Sequence, residues 1–176
     1  MDTFFEQIVR KKKTVGELAI MVGVALAALV LCVAAFLFLG GLSAILICGI
    51  LYGAWYLITM QNKEFEYCVT NGDIDVDLIV AKRKRKRIVS VAGRKIERLL
   101  PYDSSVSTQG FQRVVTAAPS LQEEGLWYFT YHSKKNGHTL VVFSPNERVL
   151  SAFTEGLDRL VRMDTQRAAA ARGIQL

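Results

Sequence analysis

The feature that most constrains this chain is a pair of long apolar runs, residues 18–39 and 42–60, separated by Gly40-Gly41. No charged residue lies between Glu17 and Lys63. At about 1.5 Å per residue, each run is long enough as an α-helix to cross roughly 30 Å of hydrocarbon. The sequence therefore predicts a two-helix transmembrane hairpin that turns at Gly40-Gly41.

A secretory signal peptide is the main alternative for the first run, because basic residues precede it. Such a peptide has an apolar core of about 7 to 15 residues, followed by a polar cleavage region. Here the first run is longer, and a second apolar run follows at once. We therefore expect an uncleaved membrane anchor.

The rest of the 176-residue chain is long enough for one small globular domain. The predicted organisation has four parts: a basic amphipathic N-terminal segment over 1–17, the hairpin over 18–60, a cytoplasmic domain over 61–163, and a helical extension or flexible tail over 164–176.

Positive charge is concentrated in two clusters, residues 10–13 and 82–87, in a chain whose net charge is +6. Lys and Arg are retained on the cytoplasmic side of a membrane, and the Gly40-Gly41 connection carries none. We therefore expect a multi-pass inner-membrane or plasma-membrane protein with its N-terminus and C-terminal domain in the cytoplasm. The candidate contacts to lipid headgroups or to a partner are Arg10, Lys11, Lys12, Lys13, Lys82, Arg83, Lys84, Arg85, Lys86 and Arg87.

The run over residues 82–87 is the sharpest feature of the later domain. On an extended chain its charges divide between two faces, so it must be a loop or an exposed edge. Near acidic headgroups each basic residue contributes about 1 kcal/mol of attraction. The alternatives are a topology signal with an aggregation-resistant edge, or nucleic-acid binding, which the lack of interleaved aromatic residues disfavours.

Small residues mark candidate packing positions in the two spans, namely Gly23, Ala28, Gly49 and Gly53. Gly49 and Gly53 have the GxxxG spacing that lets helix backbones approach closely in lipid. Two interpretations remain open, a dimerisation face or contact within the hairpin. Aromatic rings favour the membrane interface, and the second span ends with Tyr52, Trp55 and Tyr56.

The first residues have the pattern of a short amphipathic helix. Thr3 and Glu6 have the spacing of a capping box. The apolar residues that follow Thr3 form one stripe ahead of the basic cluster. We expect either a helix on the cytoplasmic leaflet or an N-terminal extension of the first span.

After residue 64 the pattern changes to short alternating segments typical of strands. Asn71-Gly72 and Asn136-Gly137 are strong hairpin-turn signals. About seven antiparallel strands are predicted, over 65–70, 74–80, 87–91, 96–100, 112–116, 126–132 and 138–143.

A helix start follows the last strand, with Ser144 as N-cap, Pro145 at the first helical position and Glu147 three residues after the cap. Apolar residues then recur at helical spacing, so an amphipathic helix over 145–163 is predicted to cap the sheet. Residues 164–176 either prolong this helix or fray.

Seven strands and a C-terminal helix resemble a pleckstrin-homology (PH) type domain. The segment Tyr67-Cys-Val-Thr-Asn-Gly-Asp-Ile, followed by a basic strand, is similar to the opening of bacterial PH-like domains that follow paired membrane spans. The order MDTFFEQIV, a lysine cluster, an apolar hairpin and EFEYCVTNGDIDVDLIVAKRKRKR resembles an uncharacterised family of small bacterial membrane proteins. The resemblance implies a mainly-β PH-like architecture behind a helical hairpin, and it supplies no reaction.

Asp73, Asp75 and Asp77 line one face of a strand, and three carboxylates at this spacing suggest calcium ligands. An EF-hand loop needs Gly at its sixth position and Glu at its twelfth, and those positions hold Leu78 and Lys84. We therefore interpret the three carboxylates as a solvated face that can pair with the basic run.

Neither the pair of histidines nor the spacing of the cysteines predicts a reactive centre. An even-length loop would put His132 and His138 on opposite faces of the sheet, while Trp127, Phe129 and Tyr131 share a face that we expect in the core. The three cysteines are widely separated and suit a reducing compartment. No catalytic residue, cofactor or metal site is predicted.

The expected function is that of a non-enzymatic membrane protein whose cytoplasmic PH-like domain is an interaction or scaffold module near acidic lipids. Its expected partners are lipid headgroups, a protein of unknown identity and a second copy of the chain. The alternatives are an accessory subunit of an enzyme or transporter and, less favoured, a nucleic-acid tether.

Overall fold

The structure is a computed structural model and describes residues 3–174. Met1 and Asp2 of the predicted 1–17 segment, and Gln175 and Leu176 of the predicted tail, lie outside the described residues. The chain divides into two compact units. A helical unit contains residues 12–63 and 80–84, and the described part of a β unit contains residues 3–11, 64–79 and 85–174.

The helical unit is built from one helical segment in three parts. It consists of α1 (Val15–Leu39), a 3-10 turn (Gly40–Leu42) and α2 (Ser43–Thr59). The segment counts as one candidate membrane-crossing segment, Val15–Thr59, by length and composition, and a signal sequence meets the same criteria. The predicted two-helix hairpin over 18–39 and 42–60 is therefore observed as one helical segment, because the predicted turn residues Gly40 and Gly41 lie in a 3-10 turn.

The path of the segment changes at Gly40, whose φ of +53° leaves the α-helical region. The two α-helices contact each other, and Ala28, Ala35 and Ser43 are buried. The Lys63 ammonium lies 3.1 Å from a carboxylate oxygen of Glu17. A straight helix would separate the two ends of this segment by roughly 65 Å at 1.5 Å per residue, so the segment folds back on itself.

The β unit contains two four-stranded sheets. The first sheet has the order β1 (Phe4–Arg10), β2 (Lys63–Thr70), β3 (Asp73–Val80), β4 (Lys84–Val91). The second has the order β5 (Ile96–Pro101), β7 (Trp127–Ser133), β8 (Gly137–Phe143), β6 (Arg113–Ala117). All seven predicted strands are present, and the positive φ angles of Asn71, Gly72 and Gly137 confirm both predicted turns.

The eighth strand, β1, corrects the predicted N-terminal helix. β1 pairs antiparallel with β2 along its whole length, so Phe5 and Val9 face the core while Phe4 and Ile8 stay exposed. The Gln7 side chain ties it to the end of β8 by donating to the Ser144 carbonyl at 3.0 Å. Tertiary pairing has overridden a capping-box pattern that is local to the chain.

A second correction concerns β6, which pairs parallel with β8 instead of antiparallel. Residues 102–112 form a long connection between β5 and β6. Tyr102, Val106 and Phe111 of this connection pack on a small cluster containing Tyr128 and Leu140.

The main core lies between the two sheets and α3 (Glu147–Glu155). As predicted, the Trp127, Phe129 and Tyr131 face belongs to it. Phe129 packs edge-on against Phe143 and Phe153, with ring centroids 5.3 and 5.4 Å apart. Such edge-to-face pairs add to the burial of apolar area.

The predicted helix over 145–163 is two helices, α3 and α4 (Arg159–Ala170). The N-cap of α3 is Asn146, not Ser144. The side-chain oxygen Oδ1 of Asn146 accepts a hydrogen bond from the Val149 N–H at 2.9 Å. α3 ends at Gly156, which touches the backbone of Gly72 with no room for a Cβ atom. α4 extends into the predicted tail and packs on β5.

Candidate basic interaction surface

The β3–β4 turn belongs to the helical unit, since residues 80–84 group with the helices. The turn is tight, with Ala81 and Lys82 at φ angles of +54° and +55°. The Ala81 N–H donates to the Asn62 carbonyl at 2.8 Å, and this hydrogen bond holds the turn against the residues just after α2. Lys82, Arg83 and Lys84 are all exposed.

Arg83 lies over the aromatic end of α2. Its guanidinium carbon is 4.8 Å from the ring centroid of Trp55 and 5.8 Å from that of Tyr56. The Tyr52 and Trp55 rings are themselves 5.8 Å apart. A cation over an aromatic face is attracted by the ring quadrupole, more strongly when water is excluded. The sequence indicated both the aromatic cluster and the basic run, and contained no signal that joined them.

The basic residues of β4 divide between two roles. Arg85 pairs with Glu66, and one Arg85 nitrogen lies 3.8 Å from Asp77. Arg87 lies 2.9 Å from Asp75 and 3.0 Å from Asp77. The hydrogen bond to Asp77, followed by the charge of Asp75, raises the pKa of Arg87. The predicted pairing between the acidic and basic segments is confirmed.

These ion pairs correct the interpretation of the aspartates as a solvated face. Asp77 is buried, with 4% of its surface exposed, and Asp73 accepts a hydrogen bond from the Gly93 N–H at 3.0 Å. Strand alternation puts Lys84 and Lys86 on the face opposite Arg85 and Arg87. Among residues 3–174, neither lysine makes an ion pair, so they are the basic side chains of β4 that are available to a partner.

β4 is an edge strand, because β3 is its one neighbour in the first sheet. This confirms the prediction that the basic run forms an exposed edge. Closely spaced positive side chains on an edge also oppose pairing with strands of other molecules.

The first basic cluster spans the boundary between the two units. In the β unit, the Arg10 guanidinium pairs with Glu64 at 3.0 Å. Lys11 is half-buried. In the helical unit, Lys12 and Lys13 are exposed just before Thr14, which caps α1 through a capping box with Glu17.

The predicted helix-packing positions have different surroundings. Ala28 is buried between the helices. A Cβ atom added at Gly23, Gly49 or Gly53 would meet nothing within 4 Å, so these glycines do not bring α1 and α2 closer together. A role of Gly49 and Gly53 in self-association stays a prediction.

The two histidines correct another prediction. His132 and His138 are direct partners in the β7–β8 ladder, because the loop between paired Ser133 and Gly137 has an odd number of residues. They therefore point to the same face. His138 Nε2 lies 2.8 Å from a Glu97 oxygen, and the His138 ring stacks at 4.5 Å on Phe111.

A surface groove of about 470 Å³ lies beside His138 and Glu97. Both polar and apolar side chains line it, among them Glu97, Arg98, Ser107, Phe111, Thr130 and His138. Sequence reasoning missed the groove, because its residues come from three separate strands and a loop.

A family model described as "Bacterial PH-like domain (DUF6106)" matches residues 1–163. The match includes β1 and the helical segment together with the two sheets and α3. No curated protein and no solved structure matches the chain.

Proposed function

The chain belongs to the bacterial PH-like domain family DUF6106, and from that premise we propose that it is an integral inner-membrane protein. In this proposal the helical segment crosses the membrane twice and leaves both ends in the cytoplasm. The PH-like domain is a non-enzymatic interaction or scaffold module at the acidic inner leaflet. A protein partner binds the domain there.

The observation that carries the proposal is the exposure of the apolar helices. In the most apolar 18 residues of Val15–Thr59, 11% is buried. The core helix of a water-soluble domain is mostly buried, so this segment does not have that role. Large side chains face outward on both helices, such as Leu29 at 62%, Phe36 at 69% and Ile45 at 76% exposure. In water such a surface would drive association, whereas in hydrocarbon it is solvated.

Charge and aromatic residues at one end of the helical unit support the orientation. Trp55 and Tyr56 are ring types that favour the membrane interface, and Arg83 lies against both. Lys63 pairs with Glu17 at the same end of the segment. The other end, at Gly40–Leu42, has no charged residue to hold it in the cytoplasm.

Acidic headgroups are the proposed ligands of the exposed lysines. Arg85 and Arg87 are engaged with Asp75, Asp77 and Glu66, which leaves Lys82, Lys84 and Lys86 to attract anions. Clustered lysine suits a diffuse anionic surface, because its charge is compact and needs no fixed hydrogen-bond geometry.

A second candidate function is that of an accessory subunit with a ligand site in the domain. The groove beside His138 and Glu97 favours it, because titratable and apolar side chains line it together. Binding of a nucleic acid is less favoured, because the aromatic rings next to the basic turn are those of α2, which we assign to the membrane.

The test uses the full chain in nanodiscs that mix acidic and zwitterionic phospholipids. Native mass spectrometry measures which lipids stay bound to the protein. Replacing Lys82, Lys84 and Lys86 together by Gln should abolish the preference for acidic lipid, and added salt should weaken the wild-type preference. The matched control replaces Lys95, Lys134 and Lys135 by Gln, and it should behave as wild type. An unchanged acidic preference in the Lys82, Lys84, Lys86 variant would overturn the lipid assignment.

A further inference from the structure

Three potential metal ligands meet on the outer face of the first sheet. β1 and β2 run antiparallel, with Glu6 directly opposite Cys68 and Ile8 opposite Glu66. One carboxylate oxygen of Glu6, one of Glu66 and the Cys68 sulfur all lie within 4.8 Å of one another. Residues 60 or more positions apart in sequence thus converge through strand pairing alone.

An independent observation concerns the Glu66 carboxylate, which has one buried oxygen that no donor in the described part of the chain reaches. Its side chain is 1% exposed, and one oxygen, Oε1, pairs with Arg85. The other oxygen, Oε2, is fully buried, and no N–H or hydroxyl donor among residues 3–174 reaches it. Burial, then a hydrogen bond shared with the Glu6 side chain, raises the pKa of Glu66. Two carboxylates this close need a shared proton or a cation between them.

We infer that Glu6, Glu66 and Cys68 form a binding site for a divalent transition-metal ion of the Zn²⁺ type. A thiolate ligand favours Zn²⁺ over Mg²⁺ and Ca²⁺, which prefer oxygen alone. Zn²⁺ holds sulfur at about 2.3 Å and carboxylate oxygen at about 2.0–2.2 Å, so the ligand atoms need to approach one another by only about 1 Å. Binding takes the proton from the Cys68 thiol and releases it to solvent.

The coordination sphere has room for a fourth ligand. Glu6 is exposed and Cys68 is half-buried, so water can reach the cluster from the Glu6 side. The Arg85 guanidinium pairs with the other oxygen of Glu66, Oε1, and holds this carboxylate in place. An aspartate, Asp77, completes the negative surroundings through its own contact with Arg85. This site does not depend on the membrane proposal, since all its ligands belong to the β unit.

The experiment uses the full chain in detergent with Cys32 and Cys48 replaced by Ser, so that Cys68 is the one thiol. After chelator treatment the protein is titrated with Co²⁺ and then Zn²⁺. We expect one Co²⁺ per chain, a thiolate-to-cobalt charge-transfer band, and loss of that band when Zn²⁺ displaces the cobalt. Cys68→Ser should abolish the band, and Glu6→Gln should weaken Zn²⁺ binding by about tenfold or more.

The matched control is Glu64→Gln, which changes a carboxylate on the same face of β2 that pairs with Arg10. It should bind Zn²⁺ as the parent does. A second readout uses the parent protein without any ligand substitution, so it does not depend on how the variants fold. Zn²⁺ should slow alkylation of Cys68 in that protein. Absence of both the charge-transfer band and this protection would overturn the site. Equal Zn²⁺ affinity of the parent, Glu6→Gln and Glu66→Gln would also overturn it, and would assign the cluster to a shared proton.

Discussion

The Arg83 guanidinium lies 4.8 Å from the centre of the Trp55 ring, within the helical unit. This contact joins the basic β3–β4 turn to the last turns of α2, where Tyr56 lies within 5.8 Å of the same cation. In the proposed orientation it marks the level at which the chain leaves the hydrocarbon. A tryptophan at that depth is favoured by its amphipathic ring.

Trp55 should therefore report the depth of the lipid headgroups. In a Trp127→Phe background reconstituted into bilayers, we expect strongest quenching of Trp55 by lipids brominated nearest the headgroup. Trp127 is 1% exposed in the domain core, so in the Trp55→Phe protein it should be insensitive to the position of the bromine. Equal quenching of the two tryptophans would contradict this position for Arg83 and Trp55.

Tyr67 fastens the first sheet to two other elements of the β unit. Its buried hydroxyl donates to the Ala117 carbonyl and accepts from the Ser144 N–H at 3.2 Å. Tyr67→Phe would leave the Ser144 donor without its partner, at a cost of about 1–3 kcal/mol in the free energy of unfolding. Chemical denaturation followed by near-ultraviolet circular dichroism measures this loss. Tyr128→Phe, in the smaller apolar cluster, is the control and should cost less.

Gly156 ends α3 where three glycine backbones meet. A Cβ atom on Gly156 would overlap backbone atoms of Gly72, and one on Gly93 would overlap both Gly72 and Gly156. Because none of these neighbours is a flexible side chain, Gly156→Ala should destabilise the domain by about 3 kcal/mol or more. Gly16→Ala, where nothing lies within 4 Å, is the matched control in thermal unfolding. Equal melting temperatures for both variants would show that this contact is absent.

Cys68 should be a slowly reacting thiol when no metal is bound. Burial, followed by the charges of Glu66 and Glu6, raises the pKa of Cys68 to about 11. Because the thiolate is the nucleophile, its fraction at about pH 8 is roughly one in a thousand, and alkylation should accelerate with pH up to about 11. Glu66→Gln removes a negative charge, lowers this pKa and should speed alkylation, whereas Glu64→Gln should change it less.

That alkylation series is followed by mass spectrometry in chelator, with Cys32 and Cys48 replaced by Ser. A midpoint near the ordinary thiol pKa of about 8.5 would contradict the burial of Cys68.

Local patterns predicted the β domain well and its long-range pairings poorly. The seven predicted strands and both Asn-Gly turns are found, because alternation and positive φ angles are properties of short segments. β1 was missed because its apolar residues fit a helical stripe as well as a strand, and its pairing with β2 crosses the whole helical segment. The parallel pairing of β6 with β8 likewise has no local signature.

The candidate sites show the same limit. The basic run and its exposed edge were predictable from charge alone, while the division into paired arginines and available lysines needed the register of β3 against β4. The cluster of Glu6, Glu66 and Cys68 depends on β1, so the misassigned strand concealed it. His132 and His138 share a face because the loop between them is one residue different in length from the even-length loop that the sequence prediction assumes.

In the proposed function, the Val15–Thr59 segment anchors the chain in the membrane with its domain in the cytoplasm. The most direct measurement is protease digestion of sealed inside-out vesicles after washing with alkaline carbonate. We expect the chain to remain in the washed membranes, the β unit to be digested, and a fragment containing residues 15–59 to be protected. Release of the chain by carbonate, or complete protection of the β unit from protease, would contradict the account.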